Sequence, residues 1–186
     1  MRYYYFLKES GYHINEKPIL PAGYTVRIWK PKGLKYFPDG MEFLKRLFAT
    51  WFLMSKFRLF KNNDLSVCLI YYGDTVAHFS VTLPPFFKVP FLDKQDLQIG
   101  PVWTHDEHRK KGFAFYAINK ILEEYGDESR KFWYITRSDN IPSIKTCEKA
   151  GFIKYAEGEP KSKLPLGLLQ KFSIDKIFNH KNQVIK

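Results

Sequence analysis

The sequence predicts a mixed α/β fold built around one sheet. Three observations carry that expectation. Aromatic and β-branched runs with period-two alternation recur between turn residues, as over 23–31, 65–72 and 75–83. Three segments place apolar residues at helical spacing, most clearly over 112–125. From residue 96 onward the two kinds of segment alternate: strand, helix, strand, helix, strand.

Each element has its own signal. Residues 1–22 open with an aromatic strand, Tyr3-Tyr4-Tyr5-Phe6, and run into a loop through Pro18 and Pro21. The second strand, 23–31, sets Tyr24, Val26 and Ile28 on one side. A loop then leads to a helix over 41–61, where Leu44, Leu47, Phe48 and Trp51 share a face and Asp39 is placed to cap. Asn62-Asn63-Asp64 ends it. A hairpin follows, with strands over 65–72 and 75–83 joined by Gly73-Asp74, and Pro84-Pro85 stops the return strand. The apolar loop 86–92 is expected to tuck onto the core; a lid over an acceptor site is its other reading. Residues 96–103 form the next strand. Ala114, Ala117, Ile118, Ile121, Leu122 and Tyr125 make one helical stripe, which Gly126 ends. A short aromatic strand, 131–136, precedes a helix over 140–150 that tolerates Pro142 in its first turn and closes at Gly151. Phe152 starts another strand, and 166–174 form the last.

At 186 residues, 45% hydrophobic and 18% aromatic, the chain reads as a single domain, 1–186, and neither disordered nor fibrous. Two cysteines, Cys68 and Cys147, exclude a disulfide scaffold and a Cys-rich zinc site. They fit a reducing cytosol, and a cytoplasmic location is expected. Thirty Lys+Arg against 19 Asp+Glu give +11, which suits nucleic acid, an anionic membrane surface or a polyphosphate ligand. The lysines are spread and show no arm or recognition-helix pattern, so nucleic acid ranks last. No apolar run approaches ~18 residues, so no transmembrane segment is expected. The opening, Met1 to Glu9, is charged too soon for a signal peptide. The five histidines and nearby acids show no metal-ligand spacing along the chain, so no metal is expected. His13 and His180 read as surface residues. A homodimer remains an open assembly.

The chemistry lies in Leu97 to Ala114, LQIGPVWTHDEHRKKGFA. A strand runs into a basic turn, Arg109-Lys110-Lys111-Gly112-Phe113-Ala114, that opens an amphipathic helix. A helix N-terminus offers unpaired N–H groups and the positive end of a dipole. Gly112 permits close backbone approach, and three cations add charge, making an anion cradle suited to a diphosphate. The spacing is neither a Walker loop nor a Rossmann fingerprint. His105 and His108 flank this turn and would support it or its phosphate. A second segment, Asn140-Ile141-Pro142-Ser143 through Ala150-Gly151-Phe152, follows a strand and ends its helix in Gly-Phe.

In these two motifs, over about 96–157, the sequence resembles the GNAT superfamily of acyl-coenzyme-A-dependent N-acetyltransferases. The resemblance implies a mostly antiparallel sheet of six or seven strands flanked by helices, with a split between two parallel central strands. It implies acetyl coenzyme A as co-substrate and a small amine as acceptor. The turn from Arg109 to Ala114 would hold the diphosphate. Val102, Trp103 and Thr104 would pair with the pantetheine arm, one N–H polarising the thioester carbonyl. Asn140, with Ser143, would approach from the other side of the split. The resemblance also puts Cys147 where the family often has a tyrosine that protonates the departing thiolate; a thiol is a weaker donor, so Cys147, a different Tyr or water could serve, or the thiolate could leave unassisted, and a covalent route through acyl-Cys147 is not expected. The stretch 78–91, ahead of 96–104, resembles family members of bacterial surface-polysaccharide synthesis, which implies an amino sugar; protein amines are the alternative acceptors, and a silent acyl-coenzyme-A-binding module is the alternative to an enzyme. From the residues themselves, alternation puts His78, Ser80 and Thr82 on one strand face and Asp96 and Gln98 on another. If these faces coincide, His78 and Asp96 line a polar patch that could deprotonate the acceptor.

Overall fold

The aromatic opening strand, β1 (Tyr3–Glu9), lies inside the sheet, between two strands from the last third of the chain. The computed structural model describes residues 1–9, 18–126, 130–161, 171–179 and 183–185. Beside β1 run β6 (Lys131–Arg137), paired along all seven residues, and β7 (Ile153–Gly158), both antiparallel. Tyr5 and Phe6 are both fully buried on opposite faces, which suits a central strand with continuous rather than alternating apolar character. The far half of the sheet is a meander of β2 (Tyr24–Trp29), β3 (Ser66–Tyr72), β4 (Thr75–Leu83) and β5 (Leu97–Thr104). The full order is β10-β7-β1-β6-β5-β4-β3-β2, where β10 is the two-residue edge Lys176–Ile177. The expected six or seven strands are therefore present, plus this short edge. Two further short strands, β8 (Pro160–Lys161) and β9 (Lys171–Phe172), pair apart from it. Most of the last strand expected over 166–174, together with His13 and His180, lies outside the described residues.

Helices cover the two faces. Against one lie α2 (Phe113–Tyr125) and α3 (Ile141–Lys149), burying Ala117, Ile118, Ile121 and Cys147 on Phe6, Leu97, Ile99, Phe132 and Tyr134. Against the other lies α1 (Lys45–Lys56), which buries Phe48, Trp51 and Met54 on Val67, Leu69, Phe79 and Val81. The loop 86–92 extends that second layer. Val89 and Leu92 are each 1% exposed under Tyr5 and Trp133, so the loop is tucked onto the core rather than standing as a lid.

The first helix is shorter than its pattern. A 3-10 turn, Glu42–Leu44, precedes α1, and Asp39 does not cap it but pairs with Lys35. Arg58 ends it in a left-handed conformation at φ 54°, letting the Leu59 N–H reach the Met54 carbonyl at 2.8 Å. Among the described residues no helix is long and apolar enough to cross a membrane.

One feature of the sheet sets up the site. β5 and β6 are its parallel pair, and they pair only at Leu97↔Phe132, Gln98↔Trp133 and Ile99↔Tyr134. Beyond that point β5 continues along β4 to Thr104 while β6 continues along β1 to Arg137. The strands diverge there. The divergence coincides with a bulge in β5, where Val102 and Ile99 pair with Ser80 and Thr82, and with Gly100 at φ 142°.

Candidate functional site

The split between β5 and β6 is open on the side of Val102 to Thr104. The His105 N–H bonds the Ala77 carbonyl on β4 at 2.9 Å. Strand alternation then turns the Trp103 N–H toward β4 and those of Val102 and Thr104 toward the split. Of the three expected pantetheine partners, two thus offer main-chain donors there. Trp103 instead contributes its ring, stacked 5.5 Å from Phe79 and 5.7 Å from the exposed Phe43.

β5 feeds the basic turn. A 3-10 turn, Asp106–His108, comes first; then Lys110 (φ 62°) and Gly112 (φ 78°) both take left-handed conformations. Such alternation directs successive N–H groups into one concavity, the geometry of an anion nest. The first N–H groups of α2, from Phe113 and Ala114, add to it. An added Cβ at Gly112 would meet nothing within 4 Å, so the space above this backbone is open. The cationic side chains are exposed: Arg109 pairs with Asp106 at 2.6 Å and reaches the Thr104 carbonyl at 3.4 Å, while Lys111 lies 5.6 Å over the Tyr24 ring.

The other wall comes from β6 and α3. Asn140 caps α3, its side-chain oxygen accepting the Ser143 N–H at 3.4 Å. Tyr134 was not among the expected site residues. It is the last residue of β6 paired to β5, so it sits at the apex of the split, facing α3. Burial pushes its phenol up to about 12, with the Ser143 hydroxyl pulling the other way and Cys147 adding to the rise. The signal in the sequence was alternation over 131–136, which sets Phe132, Tyr134 and Thr136 on one face directly before the Asn140 motif. Cys147 is fully buried, donates to the Ile144 carbonyl at 3.2 Å, and burial pushes its thiol well above the usual range. A thiol held protonated in this way is a poor nucleophile.

The expected polar patch does not form. His78 stands opposite Thr104, whereas Asp96 precedes Leu97 at the far end of β5, about 25 Å away along the strand. They also occupy opposite faces: Asp96 accepts from the Trp133 indole at 2.8 Å, and His78 lies toward Phe113 of α2. The period-two pattern within each strand was sound, but it carried no information on the phase between strands. His78 is fully buried, with Nδ1 2.7 Å from the Thr104 hydroxyl and Nε2 2.8 Å from that of Ser80. Burial pushes it down to about 3, so the ring is neutral and braces the end of β5 against α2. Asp96 also accepts the Asp93 N–H at 3.0 Å, fastening the turn before β5, and burial raises its carboxyl.

This gives His78 a measurable signature. Its folded pKa is depressed below the ordinary 6.5, so its stabilising contribution is complete above 6.5 and declines as pH falls toward 3. Between pH 7.5 and 5 the unfolded state gains about 2 kcal/mol from protonating this one side chain. Urea unfolding of His78→Gln is expected to lose that part of the pH dependence; an unchanged slope would mean that the ring is accessible to protons in the folded state.

Spacing along the chain missed one convergence. His105, Glu107 and His108 bring ligand-type atoms within 4.8 Å of one another. Two of these side chains have protein partners: the His105 Nδ1 accepts the Glu107 N–H at 3.4 Å, and the His108 Nδ1 lies 2.9 Å from the Tyr24 hydroxyl.

A family model described as Acetyltransferase (GNAT) family matches residues 26–152. Among curated proteins none matches significantly. Solved structures with the same fold include a tandem GNAT protein from the clavulanic acid biosynthesis pathway, with TM-score 0.58 and 14% identity, covering 84% of this chain and 51% of that one. A GCN5-related N-acetyltransferase from Sphaerobacter thermophilus gives 0.57, 14%, 84% and 49%. A protein described as a GNAT-family acetyltransferase, from Novosphingobium aromaticivorans, gives 0.55, 14%, 84% and 60%. The chain thus spans about half to three-fifths of these structures.

Proposed function

The chain belongs to the GNAT family of acetyltransferases, and from that premise we propose that it transfers an acetyl group from acetyl coenzyme A to a primary amine within a ternary complex. The observation that carries this reading is the split between β5 and β6, which leads at one end into the left-handed turn at Lys110 and Gly112. The turn from Arg109 to Ala114 holds the diphosphate through N–H groups, with Arg109, Lys110 and Lys111 adding long-range attraction. Val102 and Thr104 pair with the pantetheine arm, and one of these N–H groups stabilises the developing oxyanion. Asn140 and Ser143 close the opposite wall.

The neutral amine nitrogen attacks the thioester carbonyl, the C–S bond breaks, and the amine proton passes to solvent water as the amide forms, the solvent returning a proton to the donor that serves the leaving thiolate. The departing thiolate takes a proton, and Tyr134 at the apex of the split is the donor we assign; Cys147, buried and protonated, is not a covalent relay. Binding both reactants in one cleft supplies much of the rate by proximity. The acceptor class we favour is an amino sugar, nucleotide-linked in keeping with the charge of +11.

Thiol release from acetyl coenzyme A tests the reading, with amino sugars, their nucleotide-linked forms and peptide amines as acceptors. Release with an amino sugar and formation of the N-acetyl product is the expected outcome. Coenzyme A binding without release in any arm would make the chain a binding module instead.

A further inference from the structure

One face of α1 is used neither by the core nor by the split. Leu53 is 53% exposed, Phe57 72% and Leu59 52%. Leu53 and Phe57 are one turn apart, and Arg46 lies two turns before Leu53, so the three share a stripe facing away from Phe48, Trp51 and Met54. The left-handed Arg58 ends the helix and leaves Phe57, Arg58 and Leu59 in solvent together. Charge on this stretch is one-sided. From Phe43 to Asn63 there is no carboxylate. Lys45, Arg46, Lys56 and Arg58 are all exposed, and among the described residues none forms an ion pair. Two rest on rings instead: Lys45 lies 5.8 Å over Phe37 and Lys56 5.4 Å over Phe52.

We propose that this face of α1 is a peripheral membrane-binding surface that docks on an anionic bilayer. Leu53, Phe57 and Leu59 enter the boundary between headgroups and acyl chains, and Lys45, Arg46, Lys56 and Arg58 engage lipid phosphates. The charge fits this occupant. A second copy meeting the face across a two-fold axis would set the same cations against one another. Nucleic acid would engage the cations but leave the three apolar side chains in water. The surface is a convex helix with exposed tips, which a fluid boundary accommodates.

Co-sedimentation with phosphatidylcholine vesicles, and with vesicles containing about a third phosphatidylglycerol, tests the proposal on the full chain. Binding is expected only to the anionic vesicles and weakens with salt, since each cation contributes about a fivefold factor at low ionic strength. Arg46→Glu/Lys56→Glu and Leu53→Ser/Phe57→Ser should each lower affinity at least about tenfold. All four positions are exposed, so unfolding temperature should change little. The matched pair Lys145→Glu/Lys171→Glu, on other exposed elements, serves as the charge control. Equal loss in the control, or full binding by the serine pair, would assign the effect to bulk charge and overturn the proposal. No binding to either vesicle would overturn it as well. So would a dimer in gel filtration that the serine pair converts to monomer, since the face would then belong to a second copy.

Discussion

Gly112→Val is expected to weaken coenzyme A binding at least about thirtyfold, measured by calorimetry, while leaving the protein folded. The reasoning begins at the backbone. Gly112 holds φ 78°, a region where a β-branched residue is strained by about 1–3 kcal/mol. An added Cβ meets no atom of the surrounding structure within 4 Å, so the main cost of valine in the free chain is backbone strain. The strain instead favours a turn in which the N–H groups no longer converge. If the turn does hold its shape, the new methyl groups occupy the space through which a diphosphate must approach. Both routes lower affinity. Proline, fixed near φ −65°, can reach this conformation even less well. Unchanged affinity in the valine variant would place the diphosphate elsewhere.

Tyr134→Phe is expected to lower kcat by about a hundredfold or more, with coenzyme A affinity retained, because a positioned proton donor contributes on that scale. Its elevated pKa, about 12, keeps the phenol protonated throughout the neutral and mildly alkaline range. No alkaline loss of activity below about pH 10 should therefore trace to it. A structural loss would slow all acyl donors alike. Loss of a proton donor should instead make the rate depend more steeply on the basicity of the leaving thiol, which acyl donors built on a series of thiols would read. Cys147→Ala should cost far less, through packing alone. A Phe variant with the wild-type dependence on leaving group would remove Tyr134 from the reaction.

Local signals carried most of the fold. The hairpin at Gly73-Asp74, the stripe from Ala114 to Tyr125 and the Pro142 helix are where their spacing put them, because each is governed by neighbours a few residues away. What distant parts of the chain decide was not legible. β1 matched no family signature and found its place only through Lys131 to Arg137 and Ile153 to Gly158. The basic turn was readable from Arg109 to Gly112, since charge and glycine placement are local. The left-handed conformation of Lys110 was not, because nothing about lysine favours it. The His78–Asp96 pairing failed for the same reason as β1: strand phase depends on cross-strand register, and the bulge near Ser80 and Thr82 shifts it.

The placement of β1 has a consequence for how the chain comes off the ribosome. Tyr3 to Glu9 are translated long before either partner, and β7 is complete only at Gly158. At cellular elongation rates of 5–20 residues per second, that interval is roughly 8–30 s. Until β6 is made, through Arg137, a strand rich in tyrosine and phenylalanine waits without a ladder on either side, and until β7 is made it lacks one. The meander β2 to β5 can pair as it emerges, so the nascent chain is divided into a half that assembles early and a half that closes only when β1 meets β6 and β7. Nascent-chain protection of β1 should therefore appear late, and holdase chaperones that grip aromatic segments have a long window in which to act.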